Sequence, residues 1–218
     1  MVRRYLPDNI PEEKATFVYC TQSELKNPKK LMVIIHGSGV VRAGQWARSM
    51  IINHSLDAGT ILPYIQKARE QGFEIIVTNT NDNYRNKKPI PGSENPELHA
   101  RSVWEKFVQP ANADAIAVVA HSYGGHIAIE LGEKYTKDFE DKVFAIALTD
   151  SVHSSYGITP RMRSVRIYLK LRTKNKDFIA FHSRLVSIML DLINHWILQN
   201  MICMEILFVF QLDTANMK

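Results

Sequence analysis

The sequence predicts an α/β fold, a mostly parallel sheet flanked by helices, and three observations predict it. Short β-branched runs alternate with helical patterns from Lys14 to Leu148, and such alternation implies parallel strands joined by right-handed crossovers. Ile116, Val118 and Val119 form a buried-strand run that turns at Ser122 into a helical pattern carrying Ile127, Ile129, Leu131 and Tyr135. A second buried-strand run, Leu31 to Ile35, ends in His36-Gly37-Ser38-Gly39.

The elements follow in chain order. Lys14 to Cys20 reads as a first strand and Leu31 to Ile35 as a second, joined through Asn27-Pro28. Gly44 to Ile52 reads as a short helix, with Trp46, Met50 and Ile51 as its apolar positions. Thr60 to Gln71 is a better helix, with Thr60 as N-cap and Gly72 as the stop. Phe73 to Asn79 is a strand, and residues 80–95 form a polar surface loop. Asn95-Pro96 opens the next helix, because Asn caps and Pro is tolerated in the first turn; it runs to about Val108. A strand ending at Ala120, a helix to Tyr135 and a strand from Val143 to Leu148 complete the pattern. No further alternation is legible beyond His153. That would leave Val143 to Leu148 as an unpaired edge, unless tail residues such as Ile167 to Arg172 add a strand.

The Ser122 turn carries the chemistry. Small residues stand two before it (Ala120) and two after it (Gly124), as a tight strand-to-helix turn requires where two backbones approach closely. This is the nucleophile-elbow arrangement of α/β-hydrolases, with Ala120 where Gly is usual. The elbow lifts the hydroxyl above the sheet, where backbone amides of Tyr123 and of the Gly37-Ser38 turn could stabilise an oxyanion. The two motifs lie in hydrolase order, about 85 residues apart. A serine needs a histidine to take its proton and an acid to orient that histidine. Asp150, at the end of the last clear strand, stands where the acid could sit; equally, an Asp at a strand end often only caps a turn. The base is harder to find. His121 and His126 flank the elbow, His153 lies three residues after Asp150, and His182 and His195 fall in a segment without a matching loop. His153 is the candidate retained, and a weak match to the usual spacing.

Composition narrows the classes. The chain has 218 residues and a net charge of +5, enough for one domain with a self-sufficient core. Two cysteines, Cys20 and Cys203, indicate neither a disulfide framework nor a zinc site. No metal or organic cofactor is indicated by any motif. The N-terminal residues contain no apolar signal-peptide core. The charge excess lies wholly in the tail: residues 1–155 carry 18 basic and 18 acidic side chains, and residues 156–218 carry 9 and 4. Such a cluster could contact RNA or serve in nuclear import, or could simply be a solvated face. Residues 185–210 are apolar but interrupted by Asp191, His195 and Glu205. They read as a buried or amphipathic helix rather than a membrane span.

Several segments carry a resemblance. Leu31 through Arg48, Ile51-Ile52-Asn53, Val119 through Gly125 and Ala147 through His153 resemble the Argonaute-binding-protein-two family, over roughly residues 10 to 154. That family includes animal cotranscriptional regulators and a yeast subunit of an Argonaute small-RNA chaperone complex. The resemblance implies an α/β-hydrolase-like fold, nuclear and cytoplasmic residence, and Argonaute, chromatin or splicing proteins as partners in heterochromatin silencing or alternative splicing. It also implies a nucleophile's role for Ser122. Animal members continue into a late Gly-Thr-Asp-x-His segment, a suitable home for the base, and carry a charged insertion before the helix near Pro96. This chain departs at about Ser154 and shows neither. We therefore expect a domain over residues 10–154 and a divergent, basic then apolar tail over 155–218, an altered or truncated C-terminus. Two functions stand side by side: a regulatory interaction protein on a hydrolase scaffold, and a serine hydrolase, an esterase or deacylase, using Ser122. A base supplied by another chain is a third arrangement.

Overall fold

The computed structural model describes residues 1–152, 167–171 and 206–208. Strands β1 (Val2–Leu6), β2 (Thr16–Cys20), β3 (Lys30–Ile35), β4 (Glu74–Val77), β7 (Ala115–His121), β8 (Val143–Thr149), β9 (Ile167–Leu171) and β10 (Ile206–Phe208) form one sheet. The hairpin strands β5 (Tyr84–Arg85) and β6 (Lys88–Pro89) stand apart from it. Strand order is β1-β2-β4-β3-β7-β8-β9-β10. β2 runs antiparallel to both its neighbours, and every pairing from β4 onward across the sheet is parallel. This is the α/β-hydrolase arrangement that the elbow and the strand–helix alternation predict.

Strand periodicity explains how the chain builds two layers. Successive residues of a strand face opposite sides, and all of Leu31 to Ile35 is buried. Leu31, Val33 and Ile35 join one apolar cluster, with Val118, Ala120, Ile127 and Trp104. Met32 and Ile34 join the other, with Ile75, Val119, Trp46 and Tyr64. A sheet covered on both faces needs such continuous apolar runs. Helices α1 (Arg48–Asn53), α2 (Leu56–Gly59) and α3 (Leu62–Glu70) connect β3 to β4. Helix α4 (Pro96–Val103) continues through a π-helical stretch, Trp104–Val108, into α5 (Gln109–Ala111). The wide turn falls where Pro110 lacks the N–H for the regular bond to the residue four before it. Helix α6 (Tyr123–Lys134) packs against α4, and α7 (Thr136–Asp141) leads into β8.

Trp104 anchors the α4 side. It is 1 % exposed, stacks on Phe139 at 5.1 Å, and donates its indole N–H to Asp138 Oδ2 at 2.8 Å.

Several boundaries differ from the sequence reading. The strand expected from Lys14 is β2 and begins at Thr16, because Glu12–Lys14 form a 3₁₀ turn. β1 gives no clear signal in sequence: only Leu6 of its five residues is buried. The helix expected at Gly44 starts at Arg48, since Gln45 instead bridges to Thr60 and Trp46 N–H bonds to Gly59 O. Thr60 is therefore not the N-cap of α3; Ile61 holds that position, without a side-chain cap bond. Asn95 does cap α4, its side chain accepting from Leu98 N–H at 2.7 Å. Gly72 ends the α3 turn at φ +77°. The loop expected over 80–95 includes the β5–β6 hairpin and buries Asp82 and Ser93.

β9 supplies the strand that the exposed edge of β8 demands, pairing Ala145–Thr149 with Ile167–Leu171. Ile206–Phe208 pair with β9, so these three residues are strand, against the helix read over 185–210. The rest of that segment lies outside the described residues. Among the described residues no helix is long and apolar enough to cross a membrane.

Candidate functional site at the strand-to-helix elbow

The elbow forms at the carboxyl end of the sheet. β7 ends at His121, α6 begins at Tyr123, and Ser122 between them adopts φ +52°, ψ −119°. A non-glycine residue at positive φ is held there only by its surroundings, at a cost of about 1–3 kcal/mol. Three contacts hold it: Ser122 N–H donates to Thr149 O at 2.9 Å, and Ser122 O accepts from Gly125 N–H at 3.1 Å and Val152 N–H at 3.4 Å. The small residues around it are a steric requirement. A Cβ on Gly124 would stand 2.5 Å from Ile35 O and 2.7 Å from His36 O. A Cβ on Gly125 would stand 2.0 Å from Ser151 Oγ. α6 can thus enter only where no side chain stands.

The His-Gly turn lies against the elbow. A Cβ on Gly37 would meet Ser122 Cβ at 3.1 Å and Oγ at 3.5 Å, so the Gly37 backbone and the serine side chain are adjacent. Gly37 is buried, Ser122 half-buried and Ser38 exposed. Tyr123 opens α6, and its hydroxyl donates to Glu97 Oε1 on α4. The structure thus brings Ser122, Gly37 and Tyr123 together.

The remaining site residues are placed differently. Asp150 directly follows β8, exposed and at φ +50°. Its negative charge acts on His121, whose imidazole pKa burial nevertheless lowers. His121 Nδ1 is 3.0 Å from Thr149 Oγ1, and its ring meets Trp46 edge-on at 5.8 Å. His153 and the histidines after it lie outside the described residues.

Two further histidines are buried: His36, which opens the His-Gly turn, and His99, which the sequence did not single out. His36 is 2 % exposed, with Nδ1 2.8 Å from Gly37 O and Nε2 lacking a hydrogen-bond partner among the described residues. Burial drops its pKa from 6.5 to about 4. Asn81 buttresses the same turn, donating from Nδ2 to Gly37 O at 2.9 Å and Val41 O at 3.0 Å. His99, on α4, accepts from Asn79 N–H at 3.0 Å through Nε2 and meets Ser93 Oγ at 2.9 Å through Nδ1. Burial takes its pKa to about 3. Asn79 Oδ1 in turn accepts from Ala43 N–H at 2.9 Å. A polar network thus ties α4 and the β4 end to the loop after His36. A sequence signal existed: buried polar residues Thr78-Asn79-Thr80 directly follow an apolar strand.

Comparison with known proteins decides the family. The Arb2 domain matches residues 1–89 and 83–176. The chain belongs to the Arb2 domain family. The match passes residue 154, where the sequence changes character. The chain is similar to the cotranscriptional regulator ARB2A of Homo sapiens, 37 % identical over 199 residues covering 67 % of this chain and 48 % of that protein. It is 44 % identical over 147 residues to a FAM172 family protein homolog of Caenorhabditis elegans, covering 67 % of this chain and 46 % of that protein. This Arb2-domain chain spans about half the length of the curated relatives it matches. Among solved structures, the histone deacetylase Clr3 aligns over 89 % of this chain and 36 % of its own, with TM-score 0.56 and 15 % identity; that likeness concerns the fold alone.

Proposed function

We propose that this chain is a regulatory interaction protein, a hydrolase-like scaffold working in cotranscriptional control. Its partners in this reading are chromatin or splicing proteins, with Argonaute-type proteins among them, and it resides in nucleus and cytoplasm. One observation carries the reading: the relatives that this chain matches at 36–37 % identity are named cotranscriptional regulators. The described histidines near the elbow have other engagements. His36 and His99 are buried in the polar network, and His121 bonds to Thr149. His126 is exposed on α6 and packs on Tyr123.

A second reading is a serine hydrolase with Ser122 as nucleophile, Asp150 as acid and His153 as base, and amides of Gly37, Ser38 and Tyr123 as oxyanion donors. The strained φ of Ser122 and the adjacent Gly37 favour it, since strain at one residue tends to mark function.

Fluorophosphonate labelling of the folded chain beside Ser122→Ala separates the two. The regulatory reading expects no labelling, together with equal capture of purified Argonaute by both forms. Labelling that disappears in Ser122→Ala would overturn it in favour of the hydrolase. Binding of a labelled single-stranded RNA that weakens steeply between about 50 and 200 mM salt would support an RNA contact by the chain.

A further inference from the structure

Glu97 on α4 and His126 and Glu130 on α6 present an imidazole nitrogen and two carboxylate oxygens all within 4.8 Å of one another. We propose that these three residues bind one divalent transition-metal ion, zinc by ligand chemistry, and that the ion clamps α4 to the helix that follows the elbow.

The spacing comes from helix geometry. His126 and Glu130 stand four apart, on one face of α6. Glu97 arrives from a different helix, so the three groups converge on a point rather than lining up along a surface. Ligands at ~2.1 Å from a tetrahedral ion are separated by about 3.4 Å. Closing from 4.8 Å to that spacing needs side-chain rotation, not backbone movement. Glu97 and Glu130 are half-buried, and His126 is exposed; the site is open to an ion from solvent.

Each ligand is already oriented by a neighbour, as metal ligands generally are. The Tyr123 hydroxyl donates to Glu97 Oε1, and the Arg101 guanidinium donates to Glu130 Oε1. Each carboxylate keeps a second oxygen and further lone pairs for an ion. The His126 ring packs on Tyr123 at 5.2 Å with an interplanar angle of 38°. Arg101 neutralises one of the two carboxylates, and the second remains to offset an ion's charge. One nitrogen and two oxygens without a thiolate suit zinc and its first-row neighbours over copper(I), and an imidazole ligand argues against calcium or magnesium.

Calorimetric titration of the chelator-treated, full-length chain with zinc chloride tests the site. The expected result is a saturable event of one ion per chain at micromolar affinity that His126→Ala weakens at least tenfold. Tyr123→Phe keeps all three ligands and removes only the hydrogen bond to Glu97. It is expected to weaken zinc about tenfold while leaving the metal-free melting temperature within about 2 °C. His126 is exposed, so His126→Gln serves as a second variant if alanine perturbs the fold. Excess zinc is expected to raise the melting temperature of the native chain and not that of either His126 variant. No saturable binding overturns the proposal. So does binding of unchanged stoichiometry and affinity in the His126 variants, which would assign the ion to other histidines of the chain.

Discussion

Acidification from pH 7.5 to pH 5 should cost this domain about 4 kcal/mol of stability, through two imidazoles, His36 and His99. Each is buried and neutral in the fold: burial lowers His36 from 6.5 to about 4 and His99 from 6.5 to about 3. The unfolded chain takes up a proton on each as pH falls below 6.5, while the folded chain does not until much lower pH. Stability is therefore full above 6.5 and is lost progressively as pH falls towards the folded values. At pH 5 the unfolded state lies 1.5 units below its pKa at each site, so each histidine costs about 2 kcal/mol at 1.36 kcal/mol per unit. Against a total of about 5–15 kcal/mol for a domain, that is a large share. Asp82 does not blur the window. Burial raises its carboxyl, but hydrogen bonds from Arg85 and Thr16 outweigh that and hold it below the ordinary 3.8, so its stabilisation is lost only in stronger acid. Urea unfolding at pH 7.5, 6 and 5, followed by circular dichroism, reads the effect as a shift in midpoint at constant slope. His121, whose pKa burial also lowers, adds to the fall in the same direction, so His99→Gln should be less stable at pH 7.5 and should lose about 2 kcal/mol less than the native chain over the same range. A native chain whose stability changes by less than about 0.5 kcal/mol between pH 7.5 and 5 would refute the assignment of both histidines as buried and neutral.

Two further outcomes follow from the elbow's geometry. Gly124→Ala would drive a methyl into the carbonyls of Ile35 and His36; backbone cannot yield as a side chain does. It should destabilise by about 3 kcal/mol or more, read as loss of soluble protein or a lower urea midpoint. Ser122→Gly relieves the φ of +52° and should stabilise by about 1 kcal/mol, measured by the same unfolding curves; a destabilised variant would mean that Ser122 is not strained.

The strands were legible where burial on both faces leaves an uninterrupted apolar run, as in Leu31–Ile35, Ile116–Ala120 and Val143–Leu148. β1 was not, because an edge strand with four residues exposed or half-buried reads as polar chain. Helix starts were legible where a side chain caps them, as at Asn95. They were missed by four residues at Arg48, where Trp46 is held by backbone bonding to Gly59. The elbow was visible from Ala120, Ser122 and Gly124, since sterics dictate small residues there. His99 and the Glu97–His126–Glu130 group were not singled out, because their partners lie far apart in sequence or on another helix.

The amino-acid order alone determined the α/β class, the elbow serine and its neighbouring glycine turn, because each is a local pattern imposed by backbone geometry or close packing; it also carried the family resemblance, in segments spread from Leu31 to His153. Tertiary structure decided what surrounds them. It paired β9 with the open edge of β8, set Asp150 near His121, buried His36 and His99 as neutral imidazoles, and drew Tyr123, Glu97 and Glu130 around His126. Those relations depend on which helices cross and which strands adjoin, and long-range packing sets that rather than any single stretch of chain.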